Sequence, residues 1–407
     1  MSGINVRAAT KMDGAHIFLV AAEESGDRLG AALIRALRDR GEGGLRFSGV
    51  GGREMANEGM PSLFPIDELA IVGFTEIPQR LPTIVRRIRD VADAVLADAP
   101  DALIIIDSPD FTHRVAKRVR ASNARIPIID YVCPSVWAWR PWRARAMRRH
   151  IDQVLALLPF EPAALERLGG PPCRYVGHPL SARIGELRPN ADEARRRLMD
   201  PPVILVLPGS RGSEIRRMLP IFGDAIARVA NAIGKLELVL PTVPHLRDRI
   251  AAETAGWPQR PRIVVDQQEK DGAFRVARAA LTKSGTVTLE LALAGVPNVA
   301  AYRVSTVEAM VARLLIQVPT VILANLVIGE NVVPEFLQND CTAENLATAL
   351  IPLIDDGAPR RRQMAAFARL DDIMEIGRRA PAVGAADAVL TILRAGGRTF
   401  ADQTSKL

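Results

Sequence analysis

Short, unbroken apolar runs recur along the chain. They are HIFLVAA at 16–22, ALIIID at 102–107, IPIIDYV at 126–132, QVLALL at 153–158, VILVLP at 203–208, LELVLP at 236–241, RIVV at 262–265 and VPNVAAY at 296–302. Runs of this length without polar alternation fit strands buried on both faces, as in parallel sheets. Between them the apolar spacing changes to that of helices. In ESGDRLGAALIRALRDR (24–40) the apolar positions fall at 29, 33, 34 and 37; in LPTIVRRIRDVADAVL (81–96) at 81, 84, 85, 88, 91 and 95. Strands alternating with helices predict βαβ units and an α/β fold. A polar, proline-bearing stretch, GHPLSARIGELRPNADEARRRLMDPP (177–202), separates two such series. The expectation is two doubly wound, Rossmann-like domains facing a central cleft, with a boundary at residues 178/179. Ligands then belong at the carboxyl ends of the strands, in that cleft.

The length of 407 residues suits two domains, and 48% hydrophobic content allows two cores. With aromatics at 4%, those cores must be aliphatic. The net charge of +7 favours anionic partners. Cys133, Cys173 and Cys341 are scattered and read as free thiols. HIFLVAA is too short for a signal-peptide core and runs straight into EESGD, so it reads as a first strand. The most apolar window, 310–329, is interrupted by Arg313, Gln317, Pro319 and Asn325 and makes a poor transmembrane span. These features predict a soluble cytosolic protein, at most peripheral to a membrane.

The motifs follow strands. In VILVLPGSRGSEIRRMLP (203–220), Gly209 and Gly212 flank Ser210 and Arg211 ahead of a helix. This reads either as a phosphate site, with backbone N–H groups and a charge-assisted contact from Arg211, or as an ordinary strand–helix turn with a surface arginine. In LTKSGTVTLELALAGVP (281–297), Ser284, Gly285 and Thr286 open another helix and offer a second anion cradle. Glu290 sits about 6 Å further along the axis, which suits a ribose diol; the alternative is that Ser284 caps a core helix and Glu290 is paired on its face. Two cradles in one half suggest a nucleotide diphosphate. In ALIIIDSPDF (102–111), Asp107 ends a buried strand and reads either as a general base or as a turn carboxylate. In AAEESGDRLG (21–30), Glu24, Ser25 and Asp27 suit sugar hydroxyls or simple helix capping; the loop lacks a glycine-rich dinucleotide fingerprint.

YVCPSVWAWRPWRARAMRRH (131–150) carries three of the four tryptophans and five arginines with no acid. Trp142, Arg143 and Arg145, with Arg86 and Arg87 on the 81–96 helix, read either as a rim for an anionic membrane or acceptor phosphate, or as solvated helix faces. No histidine has metal-ligand spacing and no D-x-D pair occurs, so neither a metal nor a cofactor is expected. A non-catalytic binder, with this stretch stacking on single-stranded nucleic acid, leaves the cradles and Asp107 without a role, so nucleic acid is not the expected partner.

Taken in order, EESGDRLGAALIRAL, GVGGREMANEGM, IVGFTEI, IIIDSPDF, YVCPSVWAWR, LPFE, YVGHPL, LPGSRGSE, SGTVTLE and LANLVIGENVVPEFLQ resemble the lipid-A-disaccharide synthases, inverting glycosyltransferases of GT-B architecture. The resemblance spans nearly the whole chain. It implies transfer of 2,3-diacylglucosamine from UDP-2,3-diacylglucosamine to 2,3-diacylglucosamine-1-phosphate. The products are a β-1,6 disaccharide phosphate and UDP, made at the cytoplasmic face of the inner membrane of Gram-negative bacteria. It implies Asp107 as base, with Arg211, Glu290 and Asn325 at the UDP site. It also implies an acceptor- and membrane-facing domain at 1–178, rejoined by a helix at 379–395, a UDP-sugar domain at 179–378, and a loose tail at 396–407. Two blocks depart from the family pattern: AEESGD has adjacent acids, and Ile322, Leu323 and Ala324 precede Asn325 where serine, leucine and proline are expected. A UDP-sugar 2-epimerase or another lipid glycosyltransferase is the alternative on the same architecture.

Overall fold

The computed structural model describes residues 14–41, 44–69, 77–305, 308–310, 315–316 and 318–395. The IVGFTEI block up to residue 76, the interruption Arg313 and Gln317 of the 310–329 window, and the 396–407 tail lie outside the described residues. The chain forms two compact units. One holds the residues up to Pro179 together with those from Gly377 onward; the other is Leu180–Ile376.

In the first unit the strands are β1 (His16–Ala21), β2 (Arg46–Val50), β3 (Ala102–Ile106), β4 (Ile128–Tyr131), β5 (Gln153–Ala156) and β6 (Cys173–Tyr175). They form one parallel sheet in the order β2-β1-β3-β4-β5-β6. The second unit has β7 (Val203–Leu207), β8 (Glu237–Pro241), β9 (Arg262–Val264), β10 (Ala279–Lys283), β11 (Asn298–Tyr302) and β12 (Glu335–Leu337), in the order β12-β11-β10-β7-β8-β9, again parallel. Both sheets have the doubly wound α/β topology that the unbroken apolar runs predict.

Side chains of successive strand residues point to opposite faces, so one run feeds two cores. Phe18 and Val20 of β1, with Leu103 and Ile105 of β3, pack under helices α3 (Ile77–Asp98) and α4 (Pro109–Ser122). Ile17, Leu19, Ile104 and Ile106 pack on the other face against Leu33 and Ile34 of α1 (Glu24–Arg40) and Val389 and Leu390 of the helix Pro381–Arg394. That last helix lies close on the strand side of the chain: a Cβ on Gly384 would sit 2.7 Å from the Val176 carbonyl. Each such buried aliphatic side chain contributes about 1.5–3 kcal/mol, which is how a core with few aromatics is held. No helix among the described residues is long and apolar enough to cross a membrane.

The second unit uses a buried cation to close its helix ends. Arg197 donates from Nε to Arg275 O (3.1 Å), from Nη1 to Gly295 O (2.9 Å), and from Nη2 to Phe274 O (3.0 Å) and Ala294 O (3.1 Å). These carbonyls end the helices Gln267–Val276 and Val287–Leu293, where the backbone leaves acceptors unpaired and partial negative charge accumulates. Burial pushes the guanidinium down to about 10, still charged at neutral pH. Arg197→Met is expected to strand four acceptors and cost about 3 kcal/mol or more. Urea unfolding measures it; a loss well under ~1 kcal/mol would show that water replaces the arginine.

Candidate functional site

β3 ends at Ile106, and the chain turns sharply into α4. Asp107 (φ 54°) and Ser108 (φ 46°) are both left-handed, a conformation that non-glycine residues hold only when their surroundings enforce it. Here Thr112, fully buried in the first turn of α4, donates to Asp107 O (2.7 Å) and Ser108 O (3.1 Å), and Asp107 N is bonded to Tyr131 O (3.1 Å). The half-buried carboxylate accepts from Ser108 N on Oδ1 (2.8 Å) and, more loosely, from Ser25 Oγ on Oδ2 (3.3 Å). Among the described residues it has no ion-pair partner. Oδ2 therefore keeps lone-pair capacity for a substrate hydroxyl, the requirement for a general base.

The start of α1 resolves which acid sits beside this turn. Glu23 accepts from Ser108 Oγ (2.9 Å), whereas Glu24 is an exposed partner of Arg28 (3.4 Å). Asp27 is buried and takes Gly52 N (2.7 Å), Glu54 N (2.9 Å) and Met55 N (3.0 Å), capping helix α2 (Arg53–Asn57) from outside. Of the acids expected to meet sugar hydroxyls, Asp27 is thus committed to backbone donors; the side chain that reaches Asp107 is Ser25.

α4 is pinned to the sheet by a buried chain that the sequence did not announce. His113 Nε2 is 2.9 Å from Asp130 Oδ2 on β4, and His150 Nε2 is 3.2 Å from His113 Nδ1. Burial, with His113, Lys117 and Arg120 nearby, pushes His150 down to about 3, so it is neutral. Next to it the tryptophan–arginine stretch divides into buried and exposed parts. Trp137 donates to buried Glu161 (3.1 Å) and meets the Phe160 ring edge-on at 4.8 Å. Trp139 carries the Arg140 guanidinium over its ring at 4.2 Å, and Trp142, opening α5 (Trp142–Met147), is 62% exposed. Arg145 is exposed; Arg143 reaches Asp110 (3.2 Å). Arg86 is exposed on α3, but Arg87 is held by Glu68 (2.7 Å), Asp90 (3.1 Å) and the Phe64 ring.

In the second unit a cavity of about 390 Å³ opens at the carboxyl ends of β7, β8 and β10. Its walls include Gly209, Ser210, Gly285, Thr286 and Glu290 from the two predicted cradles. They also include Glu214, Thr242, Asp266, Lys270 and Lys283, which the sequence reading did not single out. Lys270 holds both Glu290 oxygens (2.9 and 3.1 Å), and Lys283 pairs with Glu214 (3.0 Å). Thr242, also in the wall, has its Oγ1 buried without a hydrogen-bond partner. Arg211 extends from the loop with its side chain 79% exposed and is not part of the cavity wall.

Two predicted residues face elsewhere. Ser284 gives its N–H to Ala301 O (3.0 Å) and its hydroxyl to Glu335 (3.3 Å), so neither donor is free for an anion. Asn325 is buried and bonds Val332 N (3.1 Å), Val333 N (2.9 Å) and Val333 O (2.9 Å), tying the helix Leu323–Ile328 to the approach to β12. It does not line the cavity. Among the described residues no group of three His, Cys, Asp or Glu side chains is placed to hold a metal ion.

Comparison with known proteins adds identity to this geometry. Residues 17–386 match the family described as lipid-A-disaccharide synthetase. A Nitrobacter winogradskyi protein named lipid-A-disaccharide synthase is 62% identical over 378 residues, 93% of this chain and 96% of that protein. Among solved structures, a UDP-GlcNAc 2-epimerase from Neisseria meningitidis bound to UDP-GlcNAc has a TM-score of 0.55 at 14% identity, covering 93% of this chain and 98% of its own. A glycosyltransferase from Rickettsia africae has a TM-score of 0.57 at 11% identity, covering 95% and 99%. At such identities these two share the fold alone.

The Glu161 that anchors Trp137 gives the first unit a pH dependence. Burial pushes its carboxyl up to about 7, against hydrogen bonds from Leu158, Trp137 and Leu157 that lower it. Its ordinary value is 4.5. The folded state therefore binds the proton more tightly, so the contribution to stability is full below the ordinary value and is lost as pH rises to and through about 7. Glu161→Gln is expected to flatten that fall in urea midpoint across the window. An equal slope in both proteins would exclude Glu161 as its source.

Proposed function

This chain belongs to the lipid-A-disaccharide synthase family, and from that premise we propose the reaction it catalyses and the residues that carry it. The enzyme is a GT-B glycosyltransferase. It transfers 2,3-diacylglucosamine from UDP-2,3-diacylglucosamine to the 6-hydroxyl of 2,3-diacylglucosamine-1-phosphate, with inversion. The observation that carries the residue assignment is Asp107: a carboxylate without an ion-pair partner among the described residues, held on a strained turn at a strand end.

Asp107 removes the proton from the acceptor hydroxyl, and that oxygen attacks the anomeric carbon as the bond to UDP breaks. Ser25 orients Oδ2, and Thr112 and Tyr131 fix the turn that aims it. The donor occupies the second unit's cavity. Glu290, oriented by Lys270, faces the ribose hydroxyls, and Thr242 supplies a further hydrogen bond. Gly209, Ser210, Arg211, Gly285, Thr286 and Lys283 stabilise negative charge growing on the leaving diphosphate. Donors fixed in advance favour the transition state over bound substrate. Asn325 and Ser284 act behind this layer, by holding backbone.

The acceptor and donor are lipids, so the enzyme works at the cytoplasmic face of the inner membrane. Trp142 and the exposed arginines Arg86, Arg145, Arg148 and Arg149 form a peripheral contact with anionic headgroups. Tryptophan favours the interface, and each basic residue near such a surface contributes about 1 kcal/mol.

UDP release from UDP-2,3-diacylglucosamine in detergent micelles tests the reaction, and it should require the diacylglucosamine-1-phosphate acceptor. Asp107→Asn is expected to lower turnover by roughly 10²–10⁴ with UDP affinity unchanged; normal turnover would remove Asp107 as base. Flotation with phosphatidylglycerol vesicles tests the membrane contact. Trp142→Ala with Arg145→Glu should weaken it more than tenfold at physiological salt, and undiminished binding would move the contact elsewhere.

A further inference from the structure

The loop after β7 has the sequence of a phosphate cradle, yet its donors already hold an anion. Glu214 Oε2 accepts from Ser210 N (3.0 Å) and Arg211 N (3.3 Å). Its Oε1 takes Lys283 Nζ (3.0 Å), with Arg211 Nη1 at 3.6 Å. The carboxylate is buried and forms part of the cavity wall beside Ser210, Lys283 and Gly285. Burial alone would raise its pKa, but Lys283 and the two N–H groups hold it below the ordinary range, so it is ionised at neutral pH.

A helix-capping glutamate needs only the backbone N–H at the cap. Glu214 takes a second N–H as well, and a lysine from β10. The backbone is shaped around this arrangement. Gly209 has φ 126°, and a Cβ there would lie 2.4 Å from Glu214 Oε2. Charge adds a further constraint. Lys270 and Lys283 face Glu214, Glu290 and Asp266 around the cavity, so the wall is already short of positive charge before any diphosphate arrives.

We propose that Glu214 is a resident competitor for the donor's diphosphate. Binding of UDP or the UDP-sugar turns its carboxylate away from the Ser210 and Arg211 N–H groups and from Lys283, and the phosphates take those donors. Glu214 thereby sets donor affinity and hastens UDP departure by returning to its seat. This rests on the reading of the cavity as the donor site. The alternative role, a cap that also holds Lys283 in place for phosphate, predicts the opposite effect on affinity.

Calorimetric titration of UDP into wild type, Glu214→Gln and Glu214→Ala separates the two. Removing the competing charge should tighten UDP on the order of tenfold in both variants, and UDP should inhibit turnover at correspondingly lower concentration. Loss of the cap lowers Tm under either role, so Tm does not decide the matter. Should Glu214→Ala fail to fold, the isosteric Glu214→Gln carries the test. Equal or weaker UDP binding by a folded Glu214→Gln overturns the proposal while the donor site stands. Absence of UDP binding in wild type and variants alike removes the donor-site reading, and this proposal with it.

Discussion

The constraint on which the rest depends is the complete burial of the central parallel strands. β1, β3 and β7 expose no residue to solvent on either face, so none of their side chains is available for chemistry. Because all strands in each sheet run in one direction, their carboxyl ends share an edge, and the polar groups of the candidate sites gather where the chain leaves the sheet. Asp107 follows β3, Ser210 and Arg211 follow β7, Thr242 follows β8, and Gly285 and Thr286 follow β10. The candidate site residues are at strand ends because the aliphatic core leaves them nowhere else.

Within that edge, environment divides identical side chains into different tasks. Asp27 and Asp107 are aspartates near neighbouring strand ends. Asp27 meets three backbone donors and is a fixed cap; Asp107 meets one backbone donor and one loose hydroxyl and keeps capacity for substrate. Asp130 lies deeper, where burial pushes its pKa up and His113 opposes that push, so the pair holds α4 against β4. The left-handed turn at Asp107–Ser108 is held in its own right by the Thr112 hydroxyl and by the Asp107 N–H bond to the Tyr131 carbonyl. The turn would relax without them, since each such residue costs on the order of 1–3 kcal/mol.

This explains what could be read from the sequence. Most central strands were legible because burial on both faces leaves an unbroken apolar run; β10, whose run ends in Thr282 and Lys283, showed only through the motif after it, and β9 was legible although it lies at an edge. β2, β6 and β12 were not: they lie at sheet edges, and their patterns are short and half polar. Positions of the candidate site were legible for the same reason as the strands, since the motifs follow them. Roles were not. Ser284 looks like a helix-opening donor until Glu335 and the Ala301 carbonyl are placed beside it. Arg87 looks like a membrane arginine until Glu68, Asp90 and Phe64 surround it. Asn325 looks like a nucleotide contact until Val332 and Val333 fill its bonds. Lys270 and Lys283 gave no local signal, because their pairing with Glu290 and Glu214 joins residues far apart in the chain. A polar side chain's task is fixed by what faces it, and that is tertiary information.

The paired charges of the second unit's cavity bear on how it can work. Both lysines in its wall carry a glutamate, so under the proposed reading an incoming diphosphate must exchange with an occupied electrostatic network. Such exchange yields less net affinity than filling an unpaired cationic pocket, because the displaced carboxylate must be rehoused. For a transferase this is useful. Binding the diphosphate equally well in substrate and product lowers KM without raising kcat, and it retains UDP after transfer. A site that is electrostatically satisfied when empty lets product leave without exposing bare buried cations. In the proposed mechanism, the extra charge that builds on the leaving diphosphate during transfer would meet donors fixed in advance, which would place the gain at the transition state.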